Sequence, residues 1–379
     1  MDETQLLIQM LDNMIQMAID TLEREIMANG PESESIQKAM RKLDFRIPKD
    51  MPNDDDYRDP IFCAYYLTRY GYAYAFEYAV LYDAIIRNYS ASEACRQNGN
   101  QGESVLGVST MACGSMIDAW GLAYAYAKIR EEGEADLPEN LNLRYHGTDL
   151  NRWGFYFAGE DPGFDGQMND IDETVNNLFE IKPRLNKFDE QGLGQDIVQF
   201  INSEKNYSWL NVHTFAKVLN EIPDQIPQIA MAFREAVNRG DFVGERGRQE
   251  YYICISHSHY GVHNDINQQN LVEQIVDAIN FNNCFDVNAE ILECSSLFGT
   301  ERGIEKRALE NAGFPIYVFR RDEGNIGCKI RDIDNRFGNL FSQIEDFDRD
   351  NLSGFENYKH STQRVTGYSF QIVKLTRRQ

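Results

Sequence analysis

The chain has 379 residues, and 60 Asp and Glu against 37 Lys and Arg leave it a formal charge of −23. A chain of this length holds two or three domains of roughly 100–200 residues each, and 42% hydrophobic with 26% charged residues is a globular composition that excludes a disordered chain. The charge argues against a nucleic-acid partner and against docking on anionic lipid, since most of this surface would repel either.

No apolar run reaches the roughly 18 residues that a membrane helix needs. The first residues, Met1-Asp2-Glu3-Thr4, are acidic, which does not suit a secretory signal. The seven cysteines are odd in number, scattered, and free of any C-x-x-C spacing. They read as reduced thiols, so a cytoplasmic location is expected, with neither a disulfide framework nor a zinc knuckle.

In chain order, Leu6, Leu7, Met10, Leu11, Met14, Ile15, Met17, Ala18 and Leu22 recur at helical intervals, and Asn29-Gly30-Pro31 ends that first helix. A second, shorter helix is expected over 36–43. A polar loop follows over 48–60, where Asp54, Asp55 and Asp56 read as solvated carboxylates ahead of a helix amino end. The next helix, 61–88, carries Tyr66, Tyr70, Tyr74, Tyr78 and Tyr82 four residues apart, which makes a slowly drifting aromatic stripe. Such a stripe suits helix packing first, and otherwise a cavity wall, a lid or a homodimer interface. Gly71 within it allows a neighbouring helix to come close.

Beyond residue 100 short apolar runs alternate with helical segments. Strands are expected over 104–111, 141–148, 196–201, 251–256, 289–294, 315–320 and 368–375. Helices are expected over 117–130, 172–178, 209–219, 226–238, 270–280 and 304–312. Alternation of this kind predicts an α/β fold, with a mostly parallel sheet covered on both faces. The organisation is then a helical amino-terminal domain, 1–99, ahead of an α/β domain, 100–379.

Ligands of such sheets bind beyond the carboxyl ends of the strands, near the point where strand order reverses. The first strand-to-helix turn reads Met111-Ala112-Cys113-Gly114-Ser115-Met116-Ile117-Asp118. Small side chains there let a ligand approach the backbone, and the helix start offers unpaired N–H groups. The next strand ends Tyr145-His146-Gly147-Thr148-Asp149-Leu150, and a carboxylate at that place can hold both hydroxyls of a ribose.

This pair of features resembles the class I S-adenosylmethionine-dependent methyltransferases, and locally a poorly characterised microbial group within them. Cys113-Gly114 with Asp118, and Asp149-Leu150 with Trp153, match that group's pattern. The resemblance covers roughly residues 102–375 and implies a Rossmann-like sheet whose last strand, 368–375, is antiparallel. It implies S-adenosyl-L-methionine as cofactor, with Ala112, Cys113, Gly114, Ser115 and Asp118 around its methionine part, Asp149 and Leu150 at the ribose, and Trp153 near the adenine. It takes 196–201 as the fourth strand, so that Asn202, Ser203 and Glu204 face the transferred methyl. His257, at the end of the fifth strand, would serve as a base or polar contact beside the substrate. The acceptor is expected to be a small molecule or a protein. A nucleic acid is disfavoured, because acidic loops recur at Asp54–Asp56 and over 131–134, 160–173 and 345–350.

The loop departs from the family, whose glycines alternate; here Gly114 stands alone, with Ser115 and Met116 beside it. A binding or scaffold protein with a degenerate loop is therefore the alternative. His257, His259 and His263 offer a third reading, since histidines two apart on a strand share a face and can hold one metal. That run is superficially like the H-x-H-x-D-H signature of metallo-β-lactamase-like hydrolases, but Gly261 and Val262 occupy the Asp and His places. It reads more simply as a polar loop, and no metal is expected. Asp161, Asp165 and Asp172 echo a calcium loop without its essential carboxylates, and read as a solvated acidic segment.

Overall fold

A computed structural model describes residues 3–43, 52–53, 55–92, 95, 104–133, 137, 141–149, 153, 180–181, 210–215, 218, 226–238, 250–258, 265–292, 339, 343 and 368–378. The first helices are α1 (Glu3–Asn29), α2 (Glu34–Leu43) and α3 (Pro60–Ser90), with a single 3-10 turn, Asp56–Arg58, ahead of α3. The alternating part follows as β1 (Ser104–Met111), α4 (Ile117–Glu132), β2 (Leu141–Thr148), β3 (Glu180–Ile181), β4 (Leu210–Phe215), α5 (Ile226–Asn238), β5 (Glu250–Ser258), α6 (Asp265–Ile279), β6 (Phe285–Leu292) and β7 (Tyr368–Arg377).

The described strands form one sheet in the order β3-β2-β1-β4-β5-β7-β6. Pairs β3–β2, β2–β1, β1–β4 and β4–β5 are parallel, while β7 runs antiparallel to both β5 and β6. The expected mostly parallel sheet with an antiparallel last strand is thus found. Strand order reverses between β1 and β4, since β1 leads through α4 to β2 on one side while β4 lies on the other. That gap is the switch point at which such sheets bind ligands.

Both faces are covered. Leu106, Val108, Val212, Tyr252, Cys254, Phe370 and Ile372 point into a core shared with α1–α4. Their neighbours Met111, Phe215, Ile253, Ile255, Val373 and Leu375 point the other way, against α5 and α6. Every residue of α4 from Ile117 to Ile129 is buried. A helix apolar on all sides needs cover on all sides, and α3 and α1 supply it: Gly121 lies against the backbone of Tyr78 and Ala79, and the Trp120 indole donates to the Leu7 carbonyl at 2.6 Å. At its far end α4 is tied to α3 by Lys128, which reaches Glu132 at 2.8 Å and Asp83 at 3.6 Å, and by Arg87, which pairs with Asp83 at 2.9 Å and Glu132 at 2.8 Å.

Several expectations change. The segment 209–219 is not a helix; its Leu210–Phe215 is the central strand β4. Val212 and Thr214 face one layer and His213 and Phe215 the other, all buried, so the period-two signal of a half-exposed strand is absent. What remains visible is Trp209, Val212, Phe215 and Val218 at intervals of three, a helical spacing. The fourth strand is therefore not 196–201, which lies outside the described residues, as do the expected elements 172–178, 304–312 and 315–320. The two-residue β3 carried too little pattern to be expected. Asp56 is not solvated: it is 1% exposed and takes Lys38 at 2.7 Å and Lys42 at 2.6 Å, while its neighbour Asp55 is paired with Arg58 on the surface.

Candidate functional site

The turn 112–116 leaves the carboxyl end of β1 and enters α4. Ala112, Gly114 and Met116 have φ of 55°, 56° and 62°, so the left-handed conformation recurs at every second residue. Only glycine adopts it without strain; a non-glycine residue loses roughly 1–2 kcal/mol there. The backbone thus follows an alternating, glycine-like path although two of the three positions carry side chains. Ala112 is exposed, whereas Met116 is 1% exposed and packs into the core. The Met116 N–H closes the turn on the Cys113 carbonyl at 2.8 Å.

Beside the turn, β2 delivers Tyr145, Gly147 and Asp149 on one face. The Gly114 N–H donates to Asp149 Oδ2 at 2.8 Å, and Asp149 is 8% exposed. The Tyr145 hydroxyl donates to both carboxylate oxygens of Asp118 at 2.9 Å. A Cβ on Gly147 would lie 2.8 Å from the Tyr145 ring and 2.9 Å from Cys113 Sγ, so that glycine is what lets ring and thiol close over the strand. Burial, and then the carboxylates of Asp149 and Asp118, push the Cys113 thiol well above its usual range. It is therefore a neutral wall and no nucleophile. Burial lifts Asp118 to about 6, against the hydrogen bonds from Thr110 and then Tyr145 that favour its charged form.

An aromatic wall completes the site. A Cβ on Gly114 would fall 3.2 Å from the Trp153 indole, which therefore sits on the turn. Trp153 stacks on Tyr57 with centroids 5.2 Å apart and meets the edge of Tyr66 at 5.0 Å. The Tyr57 ring also meets the edges of Phe62 at 5.2 Å and Tyr66 at 6.3 Å. From Tyr66 the stripe continues inward through Tyr70 and Tyr74, whose rings stack at 5.2 Å. Tyr78 meets Phe370 at 5.8 Å, and the Tyr82 hydroxyl reaches Thr214 at 3.3 Å. Tyr70, Tyr74, Tyr78 and Tyr82 are buried within this chain, while Tyr66 at the half-buried end reaches the site.

Of the residues read from the sequence, Ala112, Cys113, Gly114, Ser115, Asp118, Asp149 and Trp153 come together here. Asp118 lies beneath the turn, held by Tyr145, and does not face outward from it. Leu150, Asn202, Ser203 and Glu204 lie outside the described residues. The reason for placing the last three at a transferred methyl has gone, because they precede the amino end of β4 and do not follow its carboxyl end. His257 is within β5 near its carboxyl end, with its backbone opposite Ser369 of β7. His259, His263 and the acidic segment 161–172 lie outside the described residues. No group of three metal-ligating side chains occurs among the described residues, and no described helix is long and apolar enough to cross a membrane.

The sequence did not single out Tyr57, Tyr145 and Gly147 as members of the site, and marked Tyr66 only as part of a stripe able to form a cavity wall. A glycine inside a strand pattern signals close approach by another group, and Gly147 carried that signal.

No family model matches the sequence, and no curated protein matches it. Among solved structures, one of loganic acid methyltransferase with SAH aligns over 83% of this chain and 97% of that one, at a TM-score of 0.30 and 11% identity. A likeness at that level carries no weight for activity, which has to be argued from this chain's own residues.

Proposed function

We propose that this chain transfers a methyl group from S-adenosyl-L-methionine to a small-molecule or protein acceptor. The observation that carries the reading is the turn at the switch point, left-handed at every second residue, whose Gly114 N–H meets the carboxylate that ends the neighbouring strand. The residue types fit the cofactor. The exposed Ala112 and the N–H groups at the α4 amino end suit its methionine part. A carboxylate at the end of the second strand, as Asp149 is, is the group type that suits a ribose diol. Trp153 beside the turn is the residue type that suits a purine. When bound, the cofactor supplies an electrophilic methyl for in-line displacement.

The chain's own part in that reaction is alignment and exclusion of water, with no acid–base machinery required. The turn and Asp149 fix one end of the ligand, and Tyr57, Tyr66 and Trp153 close the side nearest the first helices. On the acceptor side, His257 keeps its place near the carboxyl end of β5, the strand next to β4, as the candidate base or polar contact. Asn202, Ser203 and Glu204 are not carried forward as methyl-facing residues, since the strand that was to place them lies elsewhere.

One observation favours a second reading, a binding or scaffold protein of the same fold. Asp149 is almost fully buried and already engaged by the turn, and the Trp153 indole rests on Gly114. Calorimetry with S-adenosylmethionine and S-adenosylhomocysteine separates the two. Binding that Asp149→Ala weakens by about 1.5–3 kcal/mol, the worth of a charged hydrogen bond, supports the enzyme. Absence of binding at millimolar ligand supports the scaffold. Unchanged affinity in the variant would move the ribose elsewhere.

A further inference from the structure

Loop 112–116 is fastened to β2 at two points four residues apart on each side. At one, the loop's Gly114 N–H donates to Asp149 of the strand at 2.8 Å; at the other, Tyr145 of the strand donates to Asp118, just past the loop, at 2.9 Å to each oxygen. Between them lies Gly147, where the Tyr145 hydroxyl and Cys113 Sγ each fall 2.9 Å from the place of a Cβ. Both fastenings are buried: Tyr145 is 0% and Asp118 2% exposed. A carboxylate in such surroundings is costly unless hydrogen-bonded, and Tyr145 supplies bonds to both its oxygens. Asp118 stands in the first turn of α4, where an acid also suits the helix amino end, and its side chain meets Tyr145 of β2. A turn with left-handed Ala112 and Met116 is costly and persists only where its surroundings hold it.

We propose that Tyr145 and Asp118 are positioning residues, a buried latch that holds loop 112–116 in its left-handed path against the end of β2 so that its backbone is set for the ligand. Neither touches the ligand in this account; they act through the turn. The ligand half of the proposal rests on the methyltransferase reading, while the loop half does not.

Tyr145→Phe in the full chain tests it, because the change removes one oxygen and keeps the ring. Two quantities are read well below the melting temperature: amide hydrogen exchange at Gly114 and Ser115, and affinity for S-adenosylhomocysteine by calorimetry. The control is Tyr126→Phe, which gives up a hydroxyl bond of 3.1 Å to the Leu141 carbonyl at the opposite end of the same strand. Tyr145→Phe is expected to speed exchange in the loop and to weaken the ligand about tenfold. Tyr126→Phe is expected to lower the melting temperature without either effect. Asp118→Asn, which keeps an acceptor for Tyr145, is expected to restore slow loop exchange that Asp118→Ala loses. Wild-type exchange in Tyr145→Phe, or equal acceleration in the control, overturns the latch. If the wild type binds no S-adenosylhomocysteine, the methyltransferase reading falls and the exchange comparison alone decides the latch.

Discussion

Asp118 shows what one residue can cost and contribute. Its carboxyl titrates near 6 in the folded chain and at the ordinary value of 3.8 when exposed. Because the folded value is raised, the group favours the native state below about pH 4, and that contribution is lost as pH rises through 6. The loss amounts to about 3 kcal/mol in full. Asp118→Asn removes the titration and keeps an acceptor for Tyr145. Urea unfolding at pH 5 and pH 7.5 is expected to show the variant gaining on the wild type at the higher pH. Parallel pH profiles would mean that Asp118 does not titrate in this range. Asp56 runs the other way. Its burial is outweighed by Lys38, Lys42 and the Asn53 backbone, so its carboxyl sits below the usual range and its stabilisation is lost only as pH falls. Neither behaviour is readable from the sequence. Asp54, Asp55 and Asp56 look alike there, and only the lysines brought from α2 single out the third.

At the scale of elements, the crossing of α3 and α4 depends on Gly121. A Cβ there would lie 2.6 Å from Tyr78 Cβ and 2.8 Å from the Ala79 backbone nitrogen, and a helix backbone cannot yield as a side-chain tip can. Gly121→Ala is expected to destabilise by about 2 kcal/mol or more, an overpacking cost, measured by chemical unfolding. Gly71→Ala is the comparison. It meets only the end of Ile15, at 3.1 Å, and is expected to cost less than half as much. If the two variants unfold alike, the crossing is looser than its geometry. The elements themselves were legible to different degrees. β1 and β2 were bounded correctly, because turn residues flank short apolar runs. α1 and α3 were legible from their apolar period. β4 was not, because a strand buried on both faces with His213 and Thr214 inside it shows neither alternation nor an unbroken apolar run. Asn202, Ser203 and Glu204, read from the expected strand 196–201, lie outside the described residues, whereas Gly114 and Asp149, tied to well-marked strands, meet in the structure.

At the scale of the molecule, the first helices and the sheet share one core. Leu7, Leu11, Met14 and Ile15 of α1 and Phe62, Leu67 and Leu81 of α3 belong to the same buried cluster as α4 and the sheet face. Uncovering α4 would expose many large apolar side chains at roughly 1.5–3 kcal/mol each, which exceeds the 5–15 kcal/mol that ordinarily stabilises a domain. A chain shortened to residues 100–379 is therefore expected to be insoluble or to melt without cooperativity, and one lacking only 1–43 to melt far lower than the full chain. A cooperative, soluble 100–379 fragment would show instead that the two parts fold independently. The same arrangement joins the first helices to the site, since Tyr57 and Tyr66 form the wall against Trp153.

The sequence by itself determined the α/β class, the first two strands, the turn between β1 and α4, and the carboxylate that meets it. These are local patterns: apolar period, turn residues, and one acid at a strand end. Only the tertiary structure decided that β4 is a strand, that Asp56 is buried, that Asp118 faces Tyr145, and that the tyrosine stripe ends at the turn. Each depends on a partner far away in the chain, because burial and hydrogen bonding are settled by what packs alongside and not by neighbours in sequence. The charge of −23 remains a property of the surface. Beneath it, the carboxylates at the heart of the site are buried, with the Gly114 N–H and the Tyr145 hydroxyl among the groups that hold them.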